Sequence, residues 1–118
     1  MTGLDAVLRR LGGDGHRVDV ARARELQERG AVLLDVRTDA EFRSGHAPAA
    51  HHLPVEQLAA RLAEVPAGRP VLAICRSGRR SATATRLLRR HGIEALDVRG
   101  GMLAWQHAGL RSRPAGRP

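Results

Sequence analysis

The sequence predicts an α/β fold of three layers, a parallel central sheet with helices on both faces, and three observations predict it. Residues 31–36 and 71–74 are apolar almost without interruption, as strands covered on both faces must be. Stretches with apolar residues at helical spacing stand between such runs. The connections are only a few residues long, which suits strands and helices in alternation joined by right-handed crossovers. With 118 residues the chain fits one domain around one core.

In chain order, residues 1–16 are an extension in which Leu4, Val7, Leu8 and Leu11 share one face of an amphipathic helix closed by Gly12 and Gly13. The domain proper is expected over residues 17–110. Asp19 can cap a helix with apolar positions Ala23 and Leu26, and Gly30 supplies its left-handed stop. A buried strand follows at residues 31–36, with Asp35 near its carboxyl end. His52, Leu53 and Pro54 form a short strand end. A helix is then expected over residues 55–64, because Leu58, Leu62 and Val65 repeat at helical spacing before Pro66. The strand at 71–74 ends on Cys75 and passes through a polar loop into a helix from about 80 to 91, stopped by Gly92. Residues 93–98 give one more strand, Gly100 and Gly101 a turn, and residues 102–107 a last helix. The tail at 111–118, rich in Arg, Pro and Gly, is expected to be disordered.

Composition narrows the function. Hydrophobic residues make up 42% of the chain but aromatics only 2%, Phe42 and Trp105 alone, so the core is aliphatic. All 20 basic residues are arginine, and the formal charge is +8. No basic stretch interleaves with stacking aromatics, so the charge reads as a compositional habit and nucleic acid is not the expected partner. No apolar run approaches the ~20 residues that span a bilayer, and the start of the chain lacks a signal-peptide core, so a cytoplasmic protein without membrane association is expected.

The single cysteine, Cys75, carries the most information. Residues 75–81, Cys75, Arg76, Ser77, Gly78, Arg79, Arg80 and Ser81, join a buried strand to a helix, so backbone N–H groups can curl round the sulfur while the helix N-terminus points at it. Those amides, the helix dipole and the arginines favour the thiolate over the thiol and make it nucleophilic. A structural thiol needs no such concentration of positive charge. Ligands of such sheets bind beyond the carboxyl ends of the strands, where both Cys75 and the segment Asp35 to Arg37 stand.

Three motifs in order resemble the rhodanese-like family, from about Val18 to Leu110. Leu34-Asp35-Val36-Arg37, Glu41-Phe42, Gly45-His46, Pro48, Ala50, Leu53 and Pro54 resemble its first signature. The loop beginning at Cys75 is similar to its active-site loop. Val98-Arg99-Gly100-Gly101, Ala104-Trp105 and Gly109 resemble its closing signature. The resemblance implies a single-domain sulfurtransferase, without cofactor, in which Cys75 takes a sulfane sulfur from a small anionic donor such as thiosulfate or a persulfide. The resulting persulfide passes it to an external acceptor, a thiol, cyanide or a thioredoxin-like protein, in a ping-pong cycle. It also implies that the amides of Arg76 to Ser81 hold the anionic sulfur and that Arg76, Arg79 and Arg80 attract the donor. The chain departs from the two-domain thiosulfate enzymes of the family at Glu41, where they carry an arginine, and at Ser77, where they carry a lysine.

Two other readings share the fold. A phosphatase or arsenate reductase also uses a thiolate in such a loop, but the phosphatase pattern requires an arginine where Ser81 stands. A non-catalytic sulfur carrier and a regulatory binding module also share the fold; binding modules commonly lose the cysteine, which is retained here. Of the supporting residues, Arg37 and Glu41 are spaced for an ion pair beside the loop, and Asp35 is expected to brace the Cys75 loop by accepting its N–H groups. His46, His51 and His52 lack ligand spacing for a metal. His46 is expected to hydrogen-bond beside its glycine turn, and Trp105 to sit in the core.

Overall fold

The computed structural model describes residues 16–113. Five strands form one sheet in the order β1-β5-β4-β2-β3, every neighbouring pair parallel: β1 Arg17–Val18, β2 Val32–Asp35, β3 His51–His52, β4 Val71–Ile74 and β5 Ala95–Val98. The helices are α1 Val20–Glu28, α2 Asp39–Ser44, α3 Val55–Leu58, α4 Arg79–Arg90 and α5 Gly101–His107.

Side chains of the central strands alternate between two apolar clusters, as the two-residue period of a strand demands. Leu33, Leu72, Ile74, Leu96 and Val98 pack with Ala23 and Leu26 of α1 and with Met102 and Trp105 of α5. Leu34, Ala73, Cys75 and Ala95 pack on the other face with Leu58 of α3 and with Ala84 and Leu88 of α4. The sheet is thus covered on both faces, as the uninterrupted apolar strands predict. Asp19 caps α1 by accepting the Arg22 N–H at 2.8 Å, and Trp105 is fully buried.

Two expectations are corrected and one strand is added. The helix expected over residues 55–64 is one turn of α-helix followed by a tighter 3₁₀ stretch, Ala59–Glu64, whose backbone leaves helical values at Arg61. Strand β1 was not expected, because two residues with one apolar side chain carry no periodic signal. It exists through pairing with β5. The tail does not lose order at residue 111. The Arg111 carbonyl accepts the Trp105 indole N–H at 2.7 Å, and Arg113 exchanges two backbone hydrogen bonds with His46. The helical stretch expected before His16 and the end of the tail lie outside the described residues.

Candidate active site

Cys75 follows the last residue of β4, and the chain turns there through Arg76, Ser77 and Gly78 into α4. Gly78 has φ +120°, a conformation open to glycine and not to ordinary residues, and it directs its N–H onto Cys75 Sγ at 3.0 Å. Of the loop amides expected to surround the sulfur, Gly78 is the one that reaches hydrogen-bond distance. Cys75 itself is buried.

The loop is held from the opposite side by the start of α5. Met102 N–H donates to the Cys75 carbonyl at 2.7 Å, and Leu103 N–H donates to the Arg76 carbonyl at 3.1 Å. The approach is so close that a Cβ on Gly101 would stand 2.3 Å from the Cys75 carbonyl oxygen and 2.5 Å from that of Arg76. The pair of glycines read as a turn therefore also lets a helix end close against the cysteine loop.

Behind the sulfur is a polar chain that the sequence does not advertise. The Cys75 thiol donates to Ser81 Oγ at 3.4 Å, and Ser81 Oγ donates to Asp97 Oδ1 at 2.5 Å. Asp97, on β5, is buried, and its second oxygen lies 3.3 Å from Arg17 Nε. Its sequence signal was one carboxylate inside an apolar strand, the same signal that marked Asp35.

The supporting residues pair otherwise than their spacing suggested. Arg37 does not pair with Glu41. It folds back on Asp35, Nε to Oδ1 at 2.9 Å and Nη2 to Oδ2 at 2.7 Å, with its own N–H on Oδ1 at 3.1 Å and Nη2 on the Gly45 carbonyl at 2.7 Å. Asp35 therefore braces the end of β2 and the α2 segment rather than the N–H groups of the Cys75 loop. The reason is burial: both side chains are out of water, and a buried carboxylate takes the nearest full charge available. Glu41 completes a capping box with Thr38 and meets Arg80 in a two-pronged pair, Oε1 to Nη1 at 2.5 Å and Oε2 to Nη2 at 2.8 Å. The Arg80 hydrogen bonds hold the Glu41 carboxyl down to about 2, against 4.5 ordinarily. Arg80 thus ties α4 to α2 and is not a free cation for a donor, whereas Arg76 and Arg79 are exposed beside the loop.

The histidines serve structure. Phe42 is sandwiched between the rings of His46 and His52, with centroids 3.8 and 4.3 Å away. His46 Nδ1 bonds the Phe42 carbonyl and His52 Nε2 the Arg37 carbonyl, while His51 is exposed. No helix of the described residues is long and apolar enough to cross a membrane.

A buried thiol at the carboxyl end of a parallel strand, with a glycine amide on its sulfur and a helix beginning just beyond it, defines a cysteine-loop α/β protein. The model of the rhodanese-like domain matches residues 19–108, and the chain belongs to that family. A sulfurtransferase of Allochromatium vinosum is 41% identical over 80 residues, which are 67% of this chain and 75% of that protein. An HTH-type transcriptional regulator of Mycobacterium tuberculosis is 38% identical over 96 residues, 80% of this chain but 42% of the regulator. The crystal structure of a rhodanese-related protein from Thermoplasma volcanium superimposes with a TM-score of 0.77 at 26% identity, covering 82% of this chain and 96% of the other. Family and fold place the chain among the relatives of sulfurtransferases.

Proposed function

We propose that this protein is a rhodanese-type sulfurtransferase that carries a sulfane sulfur as a persulfide on Cys75. The observation that carries the reading is the Gly78 N–H on Cys75 Sγ at 3.0 Å, a donor positioned for sulfur that bears negative charge. In the first half-reaction the Cys75 thiolate attacks the outer sulfur of a small anionic donor. With thiosulfate, the donor's S–S bond breaks, its electron pair leaves with sulfite, and Cys75 keeps the transferred sulfur. In the second, an acceptor attacks that outer sulfur, the Cys75 persulfide bond breaks, and the thiolate returns; cyanide leaves as thiocyanate and a thiol as its persulfide. Cys75 is the only cysteine of the 118 residues, so no second thiol within them can discharge the persulfide as a disulfide. The acceptor is a low-molecular-weight thiol or a thioredoxin-like protein.

Mass spectrometry of the protein after thiosulfate or an organic persulfide tests the reading. One added sulfur, about 32 Da, is expected on Cys75 and absent from Cys75→Ser, and initial rates with cyanide should give parallel double-reciprocal lines. An unchanged mass with every donor overturns sulfur transfer in favour of a binding module. A persulfide that forms but meets no acceptor makes the protein a sulfur carrier.

A further inference from the structure

Cys75 Sγ has two polar neighbours of opposite tendency. The Gly78 N–H, which donates to it at 3.0 Å, favours a charged sulfur. Ser81 Oγ, 3.4 Å away, accepts the thiol proton, and behind it stands the Asp97 carboxylate. The Ser81 proton has two acceptors, Asp97 Oδ1 at 2.5 Å and the Gly78 carbonyl at 3.2 Å, and the nearer, charged one holds it. Asp97 is 4% exposed, whereas Arg17, which approaches its other oxygen at 3.3 Å, is 54% exposed and shares its charge with water. Arg79 and Arg86 of α4 and Arg99 after β5 line the same cleft as Asp97, but among the described residues only Arg17 comes within ion-pair distance of it. A partly offset carboxylate therefore lies no more than about 6 Å from the sulfur, near enough for its field to act there.

We infer that Asp97 is a positioning residue that, with Ser81, raises the energy of an anion on Cys75 Sγ and so biases sulfur transfer toward the loaded protein. The inference rests on the sulfur-transfer reading and adds a residue that sets its equilibrium. In loading from thiosulfate, the S–S bond of the donor breaks, sulfite leaves with the electron pair, and one S–S bond forms on Cys75. The cysteine carries one negative charge before and after. That charge moves from Sγ to the outer sulfur, one bond of about 2 Å further along the chain of atoms. Ser81 fills the direction from Sγ to Asp97, so the outer sulfur takes another. The carboxylate, and the hydroxyl whose proton it withholds, therefore oppose the thiolate more than the persulfide. At about 6 and 8 Å, with an effective dielectric constant of about 20, the carboxylate alone shifts the equilibrium by about threefold. The Gly78 amide pulls the other way, and the two neighbours together set how readily Cys75 takes up sulfur and gives it up.

The test equilibrates the full chain with thiosulfate and sulfite at fixed ratios and reads the loaded fraction by intact mass. Alkaline pH values at which the result no longer changes with pH remove the ionisation of the thiol from the comparison. Asp97→Asn should lower the loading equilibrium constant at least about threefold. Arg17→Gln, which strips the carboxylate of its counter-charge, should raise it; a merely structural disturbance does not move the two variants in opposite directions. In a Ser81→Ala background the Asp97→Asn step should shrink. An unchanged constant in Asp97→Asn, a shift of both variants in the same direction, or the full step without Ser81 overturns the inference. Trp105 fluorescence shows whether each variant is folded, and where Asp97→Asn is not, Arg17→Gln decides alone: a raised constant supports the role and an unchanged one overturns it. If no donor adds sulfur to Cys75, the sulfur-transfer reading fails by itself, and alkylation by iodoacetamide still tests the field of Asp97. The pH of half-maximal alkylation should fall in Asp97→Asn and rise in Arg17→Gln, and coincident profiles overturn the role.

Discussion

Replacing Asp35 by Ala should cost about 3–5 kcal/mol, the loss expected when one partner of a buried ion pair is deleted and the other charge is stranded. Asp35 is fully buried and Arg37 is 5% exposed, so little water can take over the guanidinium. The carboxylate accepts from Arg37 Nε, Nη2 and the main-chain N–H, and its removal leaves the guanidinium with the Gly45 carbonyl alone. A domain of ordinary stability holds about 5–15 kcal/mol in all, so the variant is expected to fold but only marginally. Trp105, the only tryptophan and fully buried, reports unfolding by fluorescence. In urea the midpoint should fall by about 2 M at the slopes usual for small domains. Asp35→Leu combined with Arg37→Met should recover much of the loss, because both charges then leave together. A single-variant loss below about 1 kcal/mol, or a double variant as damaged as the single, would refute the argument that a stranded charge is the cause.

Two further outcomes follow from the same set of contacts. Glu41 has a carboxyl pKa near 2 in the fold against 4.5 ordinarily, so its stabilisation is fully present above pH 4.5 and is lost as the pH falls toward 2. The displacement corresponds to about 3 kcal/mol, reduced to about 1–2 kcal/mol because Arg80 and Glu41 keep 31% and 26% of their surfaces in water. Glu41→Gln should therefore be less stable by that amount at pH 7 and match the unaltered protein near pH 2, a difference that denaturation at the two pH values will reveal or exclude. Gly101→Ala places a methyl group 2.3 Å from the Cys75 carbonyl oxygen at φ +55°. It should slow Cys75 alkylation or sulfur loading severalfold by displacing the loop, and unchanged rates with unchanged stability would show that the loop does not depend on this contact.

What was legible in the sequence is what a local pattern can encode. Uninterrupted apolar runs disclosed β2 and β4, Asp19 and Gly30 bounded α1, and a lone cysteine between a strand and a helix disclosed the loop whose Gly78 amide reaches the sulfur. Pairings decided by tertiary distance were not legible. The i,i+4 rule that linked Arg37 to Glu41 holds on a helix surface, but Arg37 stands at a strand end beside Asp35. Arg80 reaches Glu41 across 39 residues, a separation no spacing rule addresses. The turn of α3 and the 3₁₀ stretch share the apolar spacing of one longer helix, and the break at Arg61 leaves no mark in that spacing. Arg111 and Arg113 look like solvated tail, yet their ordering lies in backbone groups, which composition cannot report.

Asp97 shows how one residue can escape local reading and still organise the site. A carboxylate in a buried strand is costly unless paired, and the fold pairs it twice, with Ser81 from α4 and with Arg17 from the edge strand β1. The Ser81 hydroxyl has one proton, and the 2.5 Å contact with Asp97 directs that proton away from the sulfur and leaves an oxygen lone pair facing the Cys75 thiol. Once Cys75 bears an anion, the thiol proton is gone and the lone pair faces negative charge. The Ser81 proton then has three competing acceptors, the sulfur, the Asp97 carboxylate and the Gly78 carbonyl. The Gly78 amide has no such alternative direction, because α4 fixes it. Under the sulfur-transfer proposal the two groups would divide the work: Gly78 would support the charged sulfur, while Ser81, held by Asp97, accepts from the neutral thiol. Strand β1, two residues long and invisible to periodicity, brings Arg17 to the far side of Asp97 and so belongs to the site as much as to the sheet.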